Sequence, residues 1–286
     1  MFNSLKRKSF GEKTLYILVS ILFMAVAFSY MYILIWSFIS ACKTHTEIVM
    51  DPFSLPKNWN FSNFIEVFTR LNVNGNGFGI MLFNSIWFSV TGTFLAQFCA
   101  VTFSYCSMKY TFPGSKYIYT ILLLVMTLPL YGNGGAQYKL YHQLGLIDNY
   151  FQIITAYGAV NAGTLWYMAY FQNFSNTYSE SARIDGANDF RIYFNIILPQ
   201  TKPLFVALFL QQWLSVWNTA ESVLVYLPNL PTLPAGIYQF NQEMIYQLRL
   251  DILFAACVIV VIPALVLFIV FNKTLTTNVS LGGIKG

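Results

Sequence analysis

Long apolar runs alternate with short polar stretches along the whole 286-residue chain. Six runs approach the ~20 residues that a helix needs to cross a bilayer: 14–41, 80–105, 117–136, 150–172, 203–228 and 251–272. Pro129 and three glycines interrupt the end of the third run, so we expect its helix to end near Leu130 and a loop to turn back toward the membrane. The pattern predicts an all-α polytopic membrane protein with six transmembrane helices.

Composition agrees with this class of protein. The chain is 56% hydrophobic and only 9% charged, against roughly 25% charged residues in soluble domains. A net charge of +5 is small and scattered, and it gives no indication of nucleic-acid binding. The four cysteines have neither paired nor metal-like spacing, so we interpret them as reduced packing residues: Cys42, Cys99, Cys106 and Cys257.

Lysine and arginine predict the orientation. With the N-terminus in the cytoplasm, the inner side carries Lys6, Arg7, Lys8, Lys13, Lys109, Lys116, Arg183, Arg191, Lys202, Lys273 and Lys285. The outer side then carries Lys43, Lys57, Arg70, Lys139 and Arg249. This asymmetry obeys the positive-inside rule, so we expect a multi-pass protein of the bacterial cell membrane with both termini cytoplasmic.

The same reading divides the chain into three parts. We predict a cytoplasmic N-terminal segment at 1–13, a six-span domain at 14–272 and a cytoplasmic tail at 273–286. The longest outer loop, 43–79, contains a candidate amphipathic helix beginning near Asn63; the loop is either a docking surface or a solvated connector.

The polar segment 177–203 stands out between two apolar runs. Thr177 and Glu180 have capping-box spacing and predict a helix start. Gly186 permits a sharp bend, and Asp185 is a candidate cap for a second helix. We expect Leu198 and Pro199 to end that helix, and Pro203 to begin the next span.

Spacings of three and four predict an apolar stripe on the second helix. They group Ala187, Phe190, Phe194 and Ile197 into one apolar stripe, opposite Asn188, Arg191 and Asn195. The segment therefore reads as a helix–turn–helix on the cytoplasmic surface. The alternative is an interfacial helix lying on lipid headgroups, which explains the stripe but not the bend.

The segment resembles the signature loop of permease subunits of bacterial ATP-binding-cassette importers. The resemblance lies in Glu180-x-Ala182, then Gly186, then nine residues to Ile196-x-Leu198-Pro199; Ser181 replaces a more usual alanine. Weaker matches in the expected order point to the carbohydrate branch, similar to the smaller maltose permease: Lys43 to Pro56, Asn84-Ser85, Phe112-Pro-Gly114, Gly145-Leu-Ile-Asp148, Trp217-Asn218 and Gly282-Gly-Ile-Lys-Gly286. A proline common in relatives near Gln137 is missing.

The resemblance implies a fold, partners and site residues. It implies a type I importer permease (MetI-like) fold that pairs with a second homologous permease subunit, two ATPase subunits and an extracellular solute-binding protein. This chain holds no cofactor in that scheme, because ATP and Mg belong to the ATPase subunits. The expected ATPase-coupling residues are Glu180, Ala182, Asp185, Gly186, Ala187, Leu198 and Pro199.

The sequence itself argues against an enzyme. It contains no Gly-x-x-x-x-Gly-Lys-Ser/Thr loop for ATP phosphates. The two histidines, His45 and His142, lie on different predicted outer loops without a second ligand at metal-site spacing. The expected function is therefore conformational: alternating access driven by partner ATPase subunits.

A polar streak in the predicted fifth span suggests a substrate pathway, with candidates Trp213, Trp217, Asn218 and Glu221. An acid within a span usually faces a cavity or a partner, although Glu221 is equally explained by an outer headgroup position. Three other functions stay open. They are a permease for a non-sugar solute such as polyamine, phosphate or amino acid, a secondary carrier, and a membrane anchor; the last two leave the signature loop unexplained.

Overall fold

A computed structural model of the chain describes residues 10–110, 112–128, 132, 134–158 and 161–277. Regular structure in this part is helical apart from one short hairpin. The chain divides into two compact units. Unit 1 contains the described residues up to Leu71 together with Phe240–Val261, and unit 2 contains Asn72–Gln239 and the described residues from Ile262 onward.

Unit 1 begins with the long apolar helix α1, Phe10–Ala41, followed by α2, His45–Met50, and α3, Ser62–Arg70. Helix α3 confirms the helix expected near Asn63. Thr44 and Glu47 form a reciprocal capping box that begins α2. Two long helices cross the division between the units: α13, Leu233–Tyr246, and α14, Leu250–Thr277.

Unit 2 begins with the antiparallel hairpin β1, Asn72–Val73, and β2, Asn76–Gly77, whose turn has positive φ at Asn74 and Gly75. The helices that follow are α4, Phe78–Lys109; α5, Ser115–Thr127; α6, Gly134–Gln143; α7, Gln152–Tyr157; α8, Gly163–Gln172; α9, Thr177–Ile184; α10, Asp189–Ile192; a π-helical turn, Tyr193–Ile197; α11, Leu198–Trp217; and α12, Glu221–Tyr226. Helix α4 packs along α7, α8 and α11 and forms the centre of the unit.

Four described helices are long and apolar enough to cross a membrane: Gly11–Ala41, Phe78–Lys109, Asp189–Trp217 and Leu250–Phe271. They correspond to the first, second, fifth and sixth predicted spans. The third corresponds to the shorter helix α5. The expected interruption after it falls largely on residues 129–131 and 133, which lie outside the described residues, so the total of six spans stays a prediction.

The predicted fourth span, 150–172, is two helices in the structure rather than one. Gly158 ends α7, and a β-carbon there would lie 2.4 Å from the carbonyl oxygen of Ile154. Asn161 lies just before α8. Its amide oxygen accepts from the N–H of Gly163, the first residue of α8, at 2.8 Å, and its Nδ2 donates to the carbonyl of Ala96 at 3.0 Å. A backbone carbonyl of α4 thus accepts a hydrogen bond from the polar break between α7 and α8. The apolar composition of 150–172 gave no indication of this break.

Candidate coupling site and substrate pathway

Helix α9 ends in a sharp bend at Gly186. Gly186 has φ +79°, and its N–H donates to the carbonyl of Arg183 at 3.0 Å while Ala187 N–H donates to that of Ala182 at 2.9 Å. This pair of bonds defines a Schellman motif, which requires a left-handed residue at the glycine position. No atom lies within 4 Å of the place where a Gly186 β-carbon would stand, so backbone conformation rather than space demands glycine.

The second helix does not begin at Asp185, so that prediction was wrong. Asp185 closes α9 instead, with its N–H donating to Ser181 O at 3.1 Å. Asn188 caps α10, and its side-chain oxygen accepts from Arg191 N–H at 2.9 Å. The reason is that the glycine motif places two non-helical residues, Gly186 and Ala187, between the helices.

Helix α9 begins at Thr177 as predicted, but the predicted capping box does not form. The cap position is Asn176, which makes no side-chain bond to the helix amides. Its amide oxygen accepts instead from Lys109 Nζ at 2.8 Å, and Thr177 N–H donates to Ser175 Oγ at 3.2 Å. A contact to α4 therefore replaces the local cap.

An ion pair spans the bend: Arg183 Nη2 lies 2.9 Å from Asp189 Oδ1. The hydrogen bond and charge of Asp189 raise the pKa of Arg183. Both side chains are more than half exposed, so solvent weakens the interaction. Burial, and then the neighbouring Tyr105 and Asp189, raise the pKa of Tyr110 to about 12, which keeps that phenol neutral beside the pair.

The two aromatic members of the predicted apolar stripe are exposed. Phe190 and Phe194 are 76% and 49% exposed, whereas Ile192, Tyr193 and Ile197 are buried. The π-helical turn Tyr193–Ile197 takes an additional residue and rotates the positions after it relative to those before it, so a single 3.6-residue period does not run through the whole segment. Of the four stripe residues, only Ile197 is fully buried and Ala187 is half-buried.

The proline prediction was also wrong. Leu198 and Pro199 do not end the helix, and Pro203 lies inside α11 rather than at its start. The helix is continuous from Asp189 to Trp217. The π-helical turn widens the backbone immediately before Pro199, so the ring avoids the carbonyl clash that breaks a regular α-helix. We call residues 177–197 the elbow.

The predicted coupling residues gather at the elbow and the start of α11, with different exposure. Ala182 is buried, Ala187 and Leu198 are half-buried, and the others are exposed: Glu180, Asp185, Gly186 and Pro199. Two apolar side chains that were not singled out as coupling residues, Ile184 at 87% and Phe190 at 76% exposure, flank the bend. The only sequence signal for Ile184 was an apolar residue inside a polar segment, whereas Phe190 was already a member of the predicted apolar stripe.

The candidate pathway residues do not share one helix. Trp213 and Trp217 lie on α11 with ring centroids 5.1 Å apart and are stacked and buried. Within the described part of the chain, neither indole N–H has a hydrogen-bond partner. Buried donors of this kind are uncommon, and they are suited to polar groups that enter during a conformational change.

Glu221 lies beyond the end of this helix, so its predicted position within the fifth span was wrong. Helix α11 ends at Trp217, and Glu221 is an exposed first residue of α12. Asn218 Nδ2 donates to Leu214 O at 2.8 Å and Thr219 Oγ1 to Ser215 O at 2.9 Å. Side chains that bond to the preceding turn compete with helix continuation, which accounts for the break.

Three polar residues hold the turn at 227–233 and had no predicted role. Asn84 Nδ2 donates to Pro231 O at 3.1 Å, and Ser85 Oγ accepts from Leu233 N–H at 2.6 Å. Asp148 accepts from Asn229 N–H and Nδ2 at 2.7 and 2.9 Å. The available signal was the polar pair Asn84-Ser85 near the start of an apolar helix.

Comparison with known proteins identifies the class. Residues 92–280 match the family model described as the binding-protein-dependent transport system inner membrane component. The chain therefore belongs to this family of transport permeases, and it is a membrane component of a transport complex with an ATPase and a solute-binding protein.

Individual relatives sharpen the comparison. The chain is 29% identical to the diacetylchitobiose uptake system permease protein NgcG of Streptomyces coelicolor, over 87% of this chain and 82% of the relative. It is 26% identical to the arabinooligosaccharides transport system permease protein AraQ of Halalkalibacterium halodurans, over 94% and 96%. A solved bacterial ABC transporter involved in alginate import superposes with a TM-score of 0.76 over 93% of this chain and 98% of that chain, at 22% identity. The predicted permease fold is thereby confirmed.

Proposed function

We propose that this chain is the transmembrane permease subunit of an ATP-driven sugar importer, with an oligosaccharide as cargo. The single observation that carries the proposal is the glycine-bent elbow, which presents exposed side chains and is packed onto α4 and α11. The oligosaccharide class comes from the relatives, whose names state diacetylchitobiose and arabinooligosaccharides. In this scheme the chain forms half of the pathway beside a second homologous permease subunit.

The elbow is the docking surface for one of two ATPase subunits, which bind ATP and Mg. Ile184 and Phe190 supply exposed apolar contacts at the tip, and the Arg183–Asp189 pair stiffens the bend. A cytoplasmic elbow agrees with the predicted topology, which has six spans at 14–272 and cytoplasmic segments at 1–13 and 273–286. The solute-binding protein then docks on the opposite side of the membrane. The membrane is the bacterial cell membrane.

Transport proceeds by alternating access. When the ATPase subunits close, they move the elbow as a body, and this tilts the helices packed on it. Trp213 and Trp217 line the pathway, because an indole face suits the apolar face of a sugar ring and each buried N–H provides a donor for a hydroxyl. Asn218 and Glu221 lie at the end of the same path.

Crosslinking tests the docking surface. We expect cysteines at Ile184 and Asp185, both exposed, to capture an ATPase subunit in native membranes, whereas a cysteine at Lys57, which is exposed on the predicted outer loop, provides the negative control. If Ile184→Cys and Asp185→Cys capture no ATPase subunit while the complex hydrolyses ATP, the elbow is not the docking surface.

Substitution at the bend tests coupling. Because space is open around Gly186, Gly186→Val acts through backbone strain alone, about 1–2 kcal/mol or more for a β-branched residue with left-handed φ. We expect Gly186→Val to retain ATP hydrolysis but to lose at least about tenfold in transport per ATP, while Gly186→Asn, which tolerates this conformation, stays close to wild type. Equal transport by the two variants would contradict the coupling role.

Cargo is tested separately. The cognate solute-binding protein, screened by thermal shift, should respond to diacetylchitobiose, arabinooligosaccharides or galactooligosaccharides. If it responds instead to a polyamine, phosphate or an amino acid, the proposed permease function stands but the proposed sugar cargo is wrong.

A further inference from the structure

Helix α4 contributes residues to two buried apolar clusters of unit 2. Ala100, Val101 and Tyr105 belong to the cluster that includes Ile192 and Ile197 of the elbow. Phe88 belongs to the other, which includes residues of α12 and the 227–233 turn. Helix α4 is an unbroken α-helix over this length and contains no proline. It is therefore a continuous connection between the elbow and the turn.

The end of α4 beside the elbow contacts the π-helical turn and the chain immediately before α9. Thr102 Oγ1 and the hydroxyl of Tyr193, in the π-helical turn, lie 2.6 Å apart. Lys109 Nζ donates to Phe174 O at 2.6 Å and to Asn176 Oδ1 at 2.8 Å, immediately before α9. Any displacement of the elbow therefore acts directly on α4.

The other end of α4 is attached to the 227–233 turn. Asn84 and Ser85 are buried, and their side chains bond to the backbone of Pro231 and Leu233. Breaking either contact leaves a buried backbone group without a partner, which is unfavourable. Asn84 and Thr102 lie about 27 Å apart along the helix at roughly 1.5 Å per residue.

Neutral hydrogen bonds hold the middle of α4. Gln97 Oε1 accepts from the hydroxyl of Tyr167 at 2.9 Å, and its Nε2 donates to Leu208 O at 3.4 Å. These bonds tie α4 to α8 and α11 and oppose independent rotation or sliding of the helix.

The covalent route through α11 is a poorer mechanical link. It contains the π-helical turn and Pro203, features at which helices bend. It then ends at Trp217, and the residues that follow, up to Ala220, are not helical. Movement of the elbow therefore loses direction along α11 before it reaches α12.

We propose that α4 is the rod that carries movement of the elbow to the 227–233 turn. Thr102 and Lys109 are positioning residues at one end, and Asn84 and Ser85 are positioning residues at the other. This inference rests on the proposed function, since it is ATP hydrolysis on a partner subunit that moves the elbow. The conformation of the 227–233 turn should therefore change with the nucleotide bound to the ATPase subunits, because the hydrogen bonds of α4 link the turn to the elbow.

Hydrogen exchange in the assembled transporter tests the rod. The complex in lipid nanodiscs is measured without nucleotide and after trapping with ATP and vanadate, and the readout is the ratio of exchange rates of amides at 227–236 between the two states. We expect Ser85→Ala to reduce this ratio by about fivefold. This is the change in an equilibrium constant that corresponds to the loss of one hydrogen bond. Local loosening alone raises exchange in both states and leaves the ratio unchanged.

Ser89→Ala is the matched control. Ser89 is buried on the same helix one turn away, but its hydroxyl donates only to Ile86 O of its own helix, at 3.4 Å. Tyr193→Phe is the second variant, and it removes one hydroxyl at the far end of α4. We expect Tyr193→Phe to reduce the ratio at 227–236 as Ser85→Ala does, while Ser89→Ala retains the wild-type ratio.

The outcomes separate the two proposals. If the wild-type complex hydrolyses ATP and the turn responds equally in Ser85→Ala, Tyr193→Phe and wild type, α4 is not the rod. A wild-type complex whose turn never responds to trapping overturns the inference in the same way. If the purified chain retains no ATPase subunit, the proposed function itself is refuted.

Discussion

The two units of the chain hold their polar groups in different ways. In unit 1, Glu66, Arg70, Arg249 and Asp251 form a charged cluster with N–O distances of 2.8 to 3.3 Å. In unit 2, the buried contacts of α4 are neutral, and the ion pair recorded for the described residues lies on the exposed elbow. The difference follows exposure, because Glu66, Arg70 and Arg249 are partly exposed whereas the polar side chains Ser85 and Gln97 of α4 are buried.

The comparison shows what each environment permits. A charge inside a membrane is costly, so polar side chains there must be neutral and mutually satisfied. Outside it, water lowers the cost of charges, and their pairs then respond to pH and salt. Unit 2 should therefore be sensitive to shape and hydrogen bonding, and unit 1 to solution conditions.

Packing should give the largest difference between the units. A β-carbon at Gly92 of α4 would lie 2.9 Å from Tyr157 Cδ2, whereas one at Gly11 of α1 meets no atom within 4 Å. We expect Gly92→Leu to lower the free energy of unfolding by about 1–3 kcal/mol and Gly11→Leu to change it little. Thermal unfolding in detergent measures both, with Gly79→Leu, an open position on α4, as control. Equal effects at Gly92 and Gly11 would show that unit 2 is not more sensitive to packing than unit 1.

The neutral hydrogen bonds should give a smaller effect. Gln97→Leu leaves the buried hydroxyl of Tyr167 without its acceptor, and we expect a loss of about 1–1.5 kcal/mol that does not depend on salt. Adding Tyr167→Phe removes the orphaned group, so the double variant should recover part of the loss. A thermodynamic cycle over the two single variants and the double variant measures this coupling; additive losses would show that the pair is not coupled.

The charged cluster should give the smallest effect and the only one that depends on pH. Burial raises the pKa of Glu66, but the hydrogen bond and charge of Arg249, with the charge of Arg70, outweigh burial and lower it overall. A lowered pKa stabilises the fold above the unfolded-state value of about 4.3, and this contribution is lost as the pH falls through the folded value.

We therefore expect wild type to be more stable than Glu66→Gln at pH 7, by less than about 1 kcal/mol because the pair is partly exposed. The two should converge below about pH 4, and 0.5 M salt should reduce the difference. Thermal unfolding at the two pH values measures it. A difference that persists at low pH would assign the effect to packing instead of charge.

The sequence determined the class of protein because apolar length and glycine chemistry are local. The four long apolar helices and the bend at Gly186 were readable, since a span needs a minimum length and a left-handed residue at a helix end favours glycine. Asn84, Ser85 and Asp148 also lay within recognisable matches, but the pattern of those matches gave no information about what the side chains touch.

Tertiary contacts decided the rest. Lys109 binds the side chain of Asn176, which makes no capping bond to α9, and the π-helical turn lets Pro199 lie within a helix. The role of α4 arises in the same way, from bonds between residues up to 148 positions apart in the chain. Local periodicity carries no information about such partners, and only the folded chain brings them together.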